Sequence, residues 1–184
     1  MALELGPCQV KFGTAGSEAD LGKTHGGITI KIVDDSIDLK SDQYGSSPED
    51  TIITGTTVEV ELSLAEITFD ELAIALNQTK FGTLLTGGIT GENNVGTSML
   101  DAAKSLKLIK YSAGSPSEAL TDVIIFPAAA PVSDVELTYD SENQRVLKLT
   151  FKCFPAVVNA YWGTAALNDK TVTYYFGNSA LTTT

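Results

Sequence analysis

Alternation of apolar and polar side chains is the strongest pattern in this chain, and it predicts strands. In residues 57–64, TVEVELSL, apolar residues take every even position and polar residues every odd one, the period of a strand with one buried face. Turns rich in Gly, Ser, Asn and Pro separate such segments, so the sequence predicts a mainly β fold, a β-sandwich or partial barrel. The predicted strands are 8–12, 27–34, 36–42, 51–65, 80–86, 106–112, 122–126, 134–139, 145–154 and 171–176.

One short helix is predicted to flank the sheet. Thr68 is a suitable N-cap and Glu71 follows three residues later, the spacing of a capping box. Phe69, Leu72 and Leu76 form an apolar stripe at helical spacing. A second helical pattern covers residues 98–106, where apolar side chains also share a face.

The length of the chain predicts one domain spanning residues 1–184, with residues 1–7 and 177–184 as terminal arms. Hydrophobic residues make up 43% of the chain, yet no run approaches the roughly 18 apolar residues of a membrane span. The first residues lack the basic start and apolar run of a signal peptide. We therefore expect synthesis in a cytoplasm and no membrane partner.

The tripeptide Gly22-Lys23-Thr24 matches the end of a phosphate-binding loop. That motif requires a glycine five residues before Gly22 and a helix after the threonine, but Ser17 occupies the first position and a strand pattern follows. We interpret the segment as the turn that opens a strand, with glycines that supply backbone freedom.

Negative charge is concentrated in one part of the chain. The net charge is −11, and residues 31–71 contain eleven acidic and two basic residues, a local balance of −9. Nucleic-acid binding usually relies on Lys and Arg that neutralise phosphates. The charge therefore argues against ordinary nucleic-acid binding.

The acidic residues follow the strand period. Ile37 and Leu39 fall on one side of their predicted strand, and Asp34, Asp38 and Asp42 on the other. Combined with residues 57–64, the pattern predicts a sheet with one apolar and one acidic face. Three interpretations are open: a solvated outer face, a divalent-cation site from Asp34, Asp35 and Asp38, and a surface that lies near a polyanion without binding it.

Little in the composition supports catalysis. Cys8, Cys153 and a single histidine cannot assemble a Cys/His metal centre, so we predict buried thiols and no metal, cofactor or catalytic residue. A carboxylate pair for glycoside hydrolysis, with Tyr161 and Trp162 as a sugar platform, is an alternative. Those two aromatics are more simply a core or interface pair.

Residues 21–72 carry short motifs in a fixed order. They are Leu21-Gly22, Gly26-Gly27, Asp42-Gln43-Tyr44-Gly45, Thr54-Gly55 and Leu64-Ala65-Glu66. In this order and at this spacing they resemble the N-terminal half of the major tail tube proteins of long-tailed, siphovirus-like bacteriophages. The resemblance covers a little over a quarter of the chain.

The resemblance implies a structural virion protein without catalysis or a cofactor, located in the tail. Its copies would form hexameric rings that stack into a tube, and strands from neighbouring subunits would close a barrel around the lumen. An acidic wall would weakly repel DNA, which carries one charge per ~1.7 Å, and so let it pass during ejection without specific binding. The predicted lumen-lining residues are Asp34, Asp38, Asp42, Glu59 and Glu61.

The resemblance also implies other tail proteins as partners, namely the tape measure, distal tail and terminator proteins. The loop 42–50 is too long for a tight hairpin and too polar for a core, and the resemblance implies that it reaches a neighbouring ring; the alternative is a solvent loop. Its residues are Asp42, Gln43, Tyr44, Gly45, Ser46, Ser47, Pro48, Glu49 and Asp50. A decoration, tail-terminator or adhesin domain that forms no tube is the alternative function.

Overall fold

A single antiparallel sheet organises the fold. The computed structural model of the chain describes residues 7–40, 42, 45–65, 67–76, 84–85, 88–89, 95–96, 98–112, 114–117, 119–132, 146–158 and 170–177. The first strands are β1 (Cys8–Thr14), β2 (Ser17–Asp20), β3 (Thr24–Leu39), β4 (Asp50–Leu64), β5 (Leu84–Leu85) and β6 (Gly88–Ile89). The later strands are β7 (Lys104–Ser112), β8 (Ser115–Pro116), β9 (Val123–Pro131), β10 (Leu147–Phe154), β11 (Ala156–Val158), β12 (Lys170–Val172) and β13 (Tyr175–Phe176).

The main sheet has the strand order β2-β1-β7-β9-β10-β4-β3, with β8 paired to β7 and β13 paired to β9. Every described pairing is antiparallel. Strands β5 with β6 and β11 with β12 form separate two-stranded sheets. The helices are α1 (Phe69–Ala75) and α2 (Met99–Ala102), and a 3-10 turn spans Leu120–Asp122.

The main sheet curls into a partial barrel around one core. Phe12 on β1 and Phe151 on β10 have ring centroids 5.0 Å apart, although β7 and β9 lie between their strands in the sheet. A flat sheet would hold these rings several strand spacings apart, because neighbouring strands lie about 4.8 Å from each other. Side chains with no exposed surface fill the interior: Val10, Val58, Val60, Leu64, Leu106, Phe126, Leu147, Leu149 and Phe151.

The predicted fold class, mainly β with a short flanking helix, is confirmed. In β4 the even residues 58–64 are at most 2% exposed, and the odd residues of that stretch are half-buried, as the alternation predicted. The turn at Gly22-Lys23-Thr24 is followed by β3 and not by a helix, so the phosphate-loop alternative is excluded on structure as well. The predicted strand 134–139 lies outside the described residues.

Two predicted strands, 27–34 and 36–42, are in fact one strand. β3 runs from Thr24 to Leu39, and a shift in register between Asp35 and Ser36 replaces the predicted break. The polar run at that point is typical of a turn, but an irregularity in the pairing accommodates it and the strand continues. Strand β2 and the second half of β9 were not predicted.

The capping box on α1 is confirmed. Glu71 N donates to Thr68 Oγ1 at 3.4 Å, and Thr68 N donates to the Glu71 carboxylate. The predicted apolar stripe is wrong at Leu76, which is 40% exposed, while Ala75 lies in the core and Ile74 packs against it. The second helical pattern was too long, because α2 ends at Ala102 and the rest of the segment enters β7.

Within the described residues, no helix has the length and apolar character needed to cross a membrane. The predicted arms 1–7 and 177–184 fall outside the described residues except for Pro7 and Gly177. Pro7 O accepts a hydrogen bond from Tyr111 N at 3.0 Å, and Gly177 N donates to Val123 O at 2.9 Å. The single-domain organisation stays a prediction.

Candidate assembly surfaces

Strands β3 and β4 extend beyond the barrel as a two-stranded ribbon. Strand β10 pairs with β4 only from Val58 to Leu64, whereas the pairing of β3 with β4 continues from Val33 opposite Thr57 to Leu39 opposite Asp50. We call residues 33–57 the ribbon. Every described residue of the ribbon except Thr57 is exposed, so the ribbon has no core of its own.

The ribbon has one mainly apolar face. Cross-strand partners share a face, as do alternate residues along each strand. Ile37 lies directly opposite Ile52, and Val33 and Leu39 share their side of the ribbon. The exposed fractions of these four residues are 59% for Ile37, 48% for Ile52, 40% for Val33 and 46% for Leu39. We call these four residues the apolar strip; Asp35, between Val33 and Ile37, and Asp50, opposite Leu39, share its face. Exposed apolar side chains grouped in this way mark an interaction site.

The register shift decides which isoleucine of β4 belongs to the apolar strip. Asp35 pairs with Gly55 and Ser36 with Ile53, which leaves Thr54 as an extra residue in β4. Because an extra residue moves the following side chains to the other face, Ile52 and not Ile53 lies opposite Ile37, and Thr51 and not Ile52 lies opposite Asp38. Thr54 Oγ1 donates to Asp35 O at 3.1 Å at this point.

The opposite face of the ribbon is polar, and side-chain hydrogen bonds on this face connect the two strands. Thr56 Oγ1 donates to Asp34 Oδ1 at 2.6 Å, and Thr51 Oγ1 donates to Asp38 Oδ1 at 2.9 Å. Ile53, which is 65% exposed, is the apolar exception on this face. The hydrogen bonds position the two carboxylates along the ribbon.

The predicted inter-ring loop lies at the tip of the ribbon. Of its residues, Gln43 and Tyr44 fall outside the described part, and the others are exposed in turns, bends and the start of β4. Glu49 N donates to Leu39 O at 2.8 Å, which closes the base of the tip. The ribbon carries six acidic residues and one lysine, a net charge of −5.

A second polar surface covers the outer side of the barrel on β3, β4 and β10. We call it the charged face, and its residues are Thr29, Lys31, Glu59, Glu61, Ser63, Lys148, Thr150 and Lys152. Glu59 lies directly between Lys31 and Lys152 in the register of the three strands. Lys148 Nζ lies 3.3 Å from Glu61 Oε2. With three lysines and two glutamates, the charged face has a net charge of +1.

The structure divides the five predicted lumen-lining residues into two groups. Asp34 and Asp38 lie together on the polar face of the ribbon, Glu59 and Glu61 lie on the opposite side of the β3–β4 pair, and Asp42 lies in the turn at the tip. The expectation of one continuous acidic face was therefore wrong. The reason is that the apolar residues of β3 change sides, from Ile28, Ile30 and Ile32 to Val33, Ile37 and Leu39. Their position relative to a lumen stays a prediction.

The divalent-cation alternative is not supported by the described residues. Asp35 lies on the opposite face of β3 from Asp34 and Asp38, and no three His, Cys, Asp or Glu residues of the described part come together in a way that could hold a metal ion. The two cysteines are free thiols, Cys153 buried and Cys8 half-buried. Burial raises the pKa of Cys8 to about 11 and that of Cys153 to about 12, so neither is a thiolate nucleophile near neutral pH.

The sequence analysis missed a buried ion pair on the other side of the barrel. Lys107 Nζ on β7 lies 2.9 Å from Glu18 Oε2 on β2, and the two side chains are only 11% and 5% exposed. Gly13 pairs with both Glu18 and Ser105, so the glutamate reaches across β1 where that strand has no side chain. Burial opposes ionisation of Glu18, but the hydrogen bond from Lys107 and its positive charge hold the pKa of the carboxyl below its ordinary value.

Two strand edges are available for pairing with another molecule. β2 and β3 are the end strands of the main sheet, and within the described residues no other strand pairs with the outer edge of either one. Edge strands present N–H and C=O groups that can bind a further strand. The edge of β3 is 16 residues long and continues into the ribbon.

Comparison with known proteins places the fold. No protein-family model and no curated protein matches the chain. The chain is similar to one in the PVC sheath–tube complex of an extracellular contractile injection system in the extended state, with a TM-score of 0.51 and 11% identity over 82% of this chain and 86% of that chain. A chain in the tail of an empty GTA particle, computed by helical refinement with C6 symmetry, has a TM-score of 0.47 and 12% identity over 80% and 91% of the two chains. The first similarity shows that this chain has a β-rich fold shared with a component of a sheath–tube complex.

Proposed function

We propose that this chain is the tube-forming structural protein of a bacteriophage tail. In this proposal its copies form hexameric rings that stack into a tube, and genomic DNA passes through the lumen. The fold shared with a component of a sheath–tube complex supports a role in a tube. The motifs in residues 21–72 support a long-tailed phage. The observation that carries the proposal is the ribbon, which exposes an apolar face outside the barrel.

The ribbon is suited to bridge two rings. Its seven paired residues on β3, 33–39, rise about 3.3 Å each, so the tip stands about 20 Å from the barrel. An isolated two-stranded ribbon is marginally stable in water, and burial of its apolar strip by another subunit would stabilise it. In the proposed tube the apolar strip binds the next ring. The tip, residues 42–50, reaches furthest into that ring.

The two free edges are suited to close a ring. A closed hexamer with one kind of contact needs two different surfaces on each subunit, because the contact is head-to-tail. β2 and β3 are such a pair, since they end the same sheet on opposite sides. Pairing of one subunit's β3 edge with the next subunit's sheet would continue the barrel around the lumen and satisfy the exposed backbone groups.

The predicted lumen residues take two positions in this arrangement. Glu59 and Glu61 belong to the charged face of the barrel and would line the wall of each ring. Asp34 and Asp38, with Asp42 at the tip, belong to the ribbon and would reach the lumen where rings meet. The proposed partners are other copies of the chain, the tape measure, distal tail and terminator proteins, and DNA in transit without specific binding.

Electron microscopy of the purified protein at high concentration tests the proposal. We expect hollow tubes of stacked rings with six subunits in end views. Ile37→Asp should abolish stacking, because it places a charge on the apolar strip. Ile53→Asp is the matched control, since Ile53 is more exposed and lies on the opposite face of the same ribbon. Rings that never stack in the wild type would contradict the tube and favour a terminator or decoration protein.

A further inference from the structure

The charged face alternates positive and negative side chains in register. Lys31, Glu59 and Lys152 occupy one row across β3, β4 and β10, and directly opposite Cβ atoms in antiparallel strands lie about 4.5–5.5 Å apart. Glu59 therefore has a lysine on each side. Opposite charges in these positions attract each other, whereas like charges would destabilise the pairing.

The second glutamate has the same kind of neighbour. Lys148 lies within ion-pair distance of Glu61, and their side chains are 66% and 43% exposed. Both groups are in contact with water, so this pair contributes little to folding stability. Its effect is on the ability of the surface to bind anions, because each glutamate lies beside a lysine that would otherwise be free to bind one.

The face differs in charge from the rest of the molecule. The chain as a whole has a net charge of −11 and the ribbon one of −5, but the charged face has one of +1. Because in-register neighbours share a side of the sheet, any surface lined by Glu59 and Glu61 is also lined by Lys31, Lys148 and Lys152. A lumen wall built from this face is thus charge-balanced and not uniformly acidic.

We propose that Glu59 and Glu61 keep the three lysines of the charged face from binding DNA phosphates. This inference rests on the proposed function, because a channel that conducts DNA brings a polyanion across this face. The lysines make the wall neutral enough for DNA to approach it, and the glutamates compete with phosphate for each ammonium group. Without the glutamates the face would hold three lysines and no carboxylate, which is a phosphate-binding patch.

Removal of the two carboxylates should create DNA binding. The variant E59Q/E61Q keeps the shape of both side chains and can be tested with a short double-stranded DNA by fluorescence anisotropy, from about 50 to about 200 mM salt. We expect at least tenfold tighter binding than wild type at the lowest salt. The slope of log K against log salt should approach about −2.7, since each phosphate contact contributes about −0.9. Adding K31Q, K148Q and K152Q to this variant should return binding to the wild-type level.

A matched control separates the local arrangement from net charge. D34N/D38N also removes two carboxylates and gives the same net charge of −9, but it does so on the ribbon face that carries no lysine of the charged face. It should bind DNA no better than wild type. Equal binding by the two variants, no gain in E59Q/E61Q, or binding that survives loss of the lysines would each overturn the proposal.

The assay uses dispersed full-length protein and does not depend on tube formation. Tubes in the wild type together with no gain of binding in E59Q/E61Q would refute the role of the glutamates and leave the tube intact. A gain of binding in a protein that forms no tubes would support the local role and refute the proposed function. E59Q alone, flanked by two lysines, provides a second variant with a smaller expected gain if the double variant fails to fold.

Discussion

Two threonines connect the strands of the ribbon, and replacing both with valine should weaken the ribbon without unfolding the barrel. Thr56 donates to Asp34 and Thr51 donates to Asp38 across the polar face. Valine has nearly the size of threonine and the same β-branched shape, so it keeps the strand preference and loses only the hydroxyl donor. The double variant therefore tests the hydrogen bonds themselves.

The size of the effect follows from the geometry. The donor–acceptor distances of 2.6 and 2.9 Å are those of good hydrogen bonds, but both sites are exposed, so each contributes about 0.5–1 kcal/mol. The total of about 1–2 kcal/mol acts on local opening of the ribbon, which corresponds to a factor of about 5–30 in its equilibrium. The barrel is unaffected because the core residues of β4 begin at Val58.

Native-state hydrogen exchange measures this local opening directly. In the double variant, amides of the ribbon that bond across β3 and β4 should exchange about 5–30 times faster, and amides of residues 58–64 should be unchanged. The denaturant midpoint should also be unchanged. If the tube proposal holds, the concentration needed for assembly should rise by a similar factor, because the subunit must order its ribbon before it binds the next ring.

Thr57→Val is the matched control for this experiment. Thr57 lies in the same strand as Thr51 and Thr56 but on the opposite face, and its side chain makes none of the hydrogen bonds found across the ribbon's described residues. Equal acceleration in the control, acceleration that extends to residues 58–64, or no acceleration of the ribbon amides would refute the reasoning.

Further predictions concern the buried ion pair and the strand between its two members. Glu18→Gln removes the carboxylate that pairs with the buried Lys107 charge and should lower the free energy of unfolding by about 3–5 kcal/mol in urea titrations, whereas Glu18→Leu with Lys107→Met should recover most of the loss. The pKa of Glu18 is lower in the folded protein than its ordinary 4.5, so its contribution is fully present above that pH and is lost as the pH falls below it; the urea midpoint of wild type should drop more between pH 7 and acid than that of Glu18→Gln. Gly13→Ala should lower stability by about 1–3 kcal/mol in thermal unfolding, because its φ is +154° and a Cβ would lie 3.1 Å from Glu18 Cα. An unchanged midpoint in Glu18→Gln or in Gly13→Ala would contradict the corresponding contact.

Sequence patterns predicted the parts of the fold that depend on residues close together in the chain. The alternation in residues 57–64 identified the buried side of β4, because the period of a strand is a property of consecutive residues. The capping box at Thr68 was found for the same reason. Strand β2 was missed because its four residues, SEAD, contain no large apolar side chain, and its position depends on Glu18 reaching a lysine far along the chain.

The composition of the candidate surfaces depended on register, which the sequence does not show directly. Lys148 and Lys152 come nearly a hundred residues after Glu59, and only the pairing of β10 with β4 reveals that they share its face. The grouping of Asp34 with Glu59 failed because it assumed that the buried side stays the same along β3. The pairing is unshifted from Lys31 opposite Glu59 to Asp34 opposite Thr56, so strand alternation alone places these two carboxylates on opposite faces.

The change of apolar side along β3 explains how one strand can serve two interfaces. Ile28 and Ile30 pack against the core of their own barrel, whereas Ile37 and Leu39 point to the other side of the same strand. If the apolar residues had stayed on one side, the ribbon would extend the subunit's own core and would gain by folding back over it. On the opposite side they lie exposed beyond the charged face, so burial of the strip requires a second surface. In the proposed tube that surface belongs to the next ring, and the charge of −5 on the ribbon then favours a contact site with compensating positive charge.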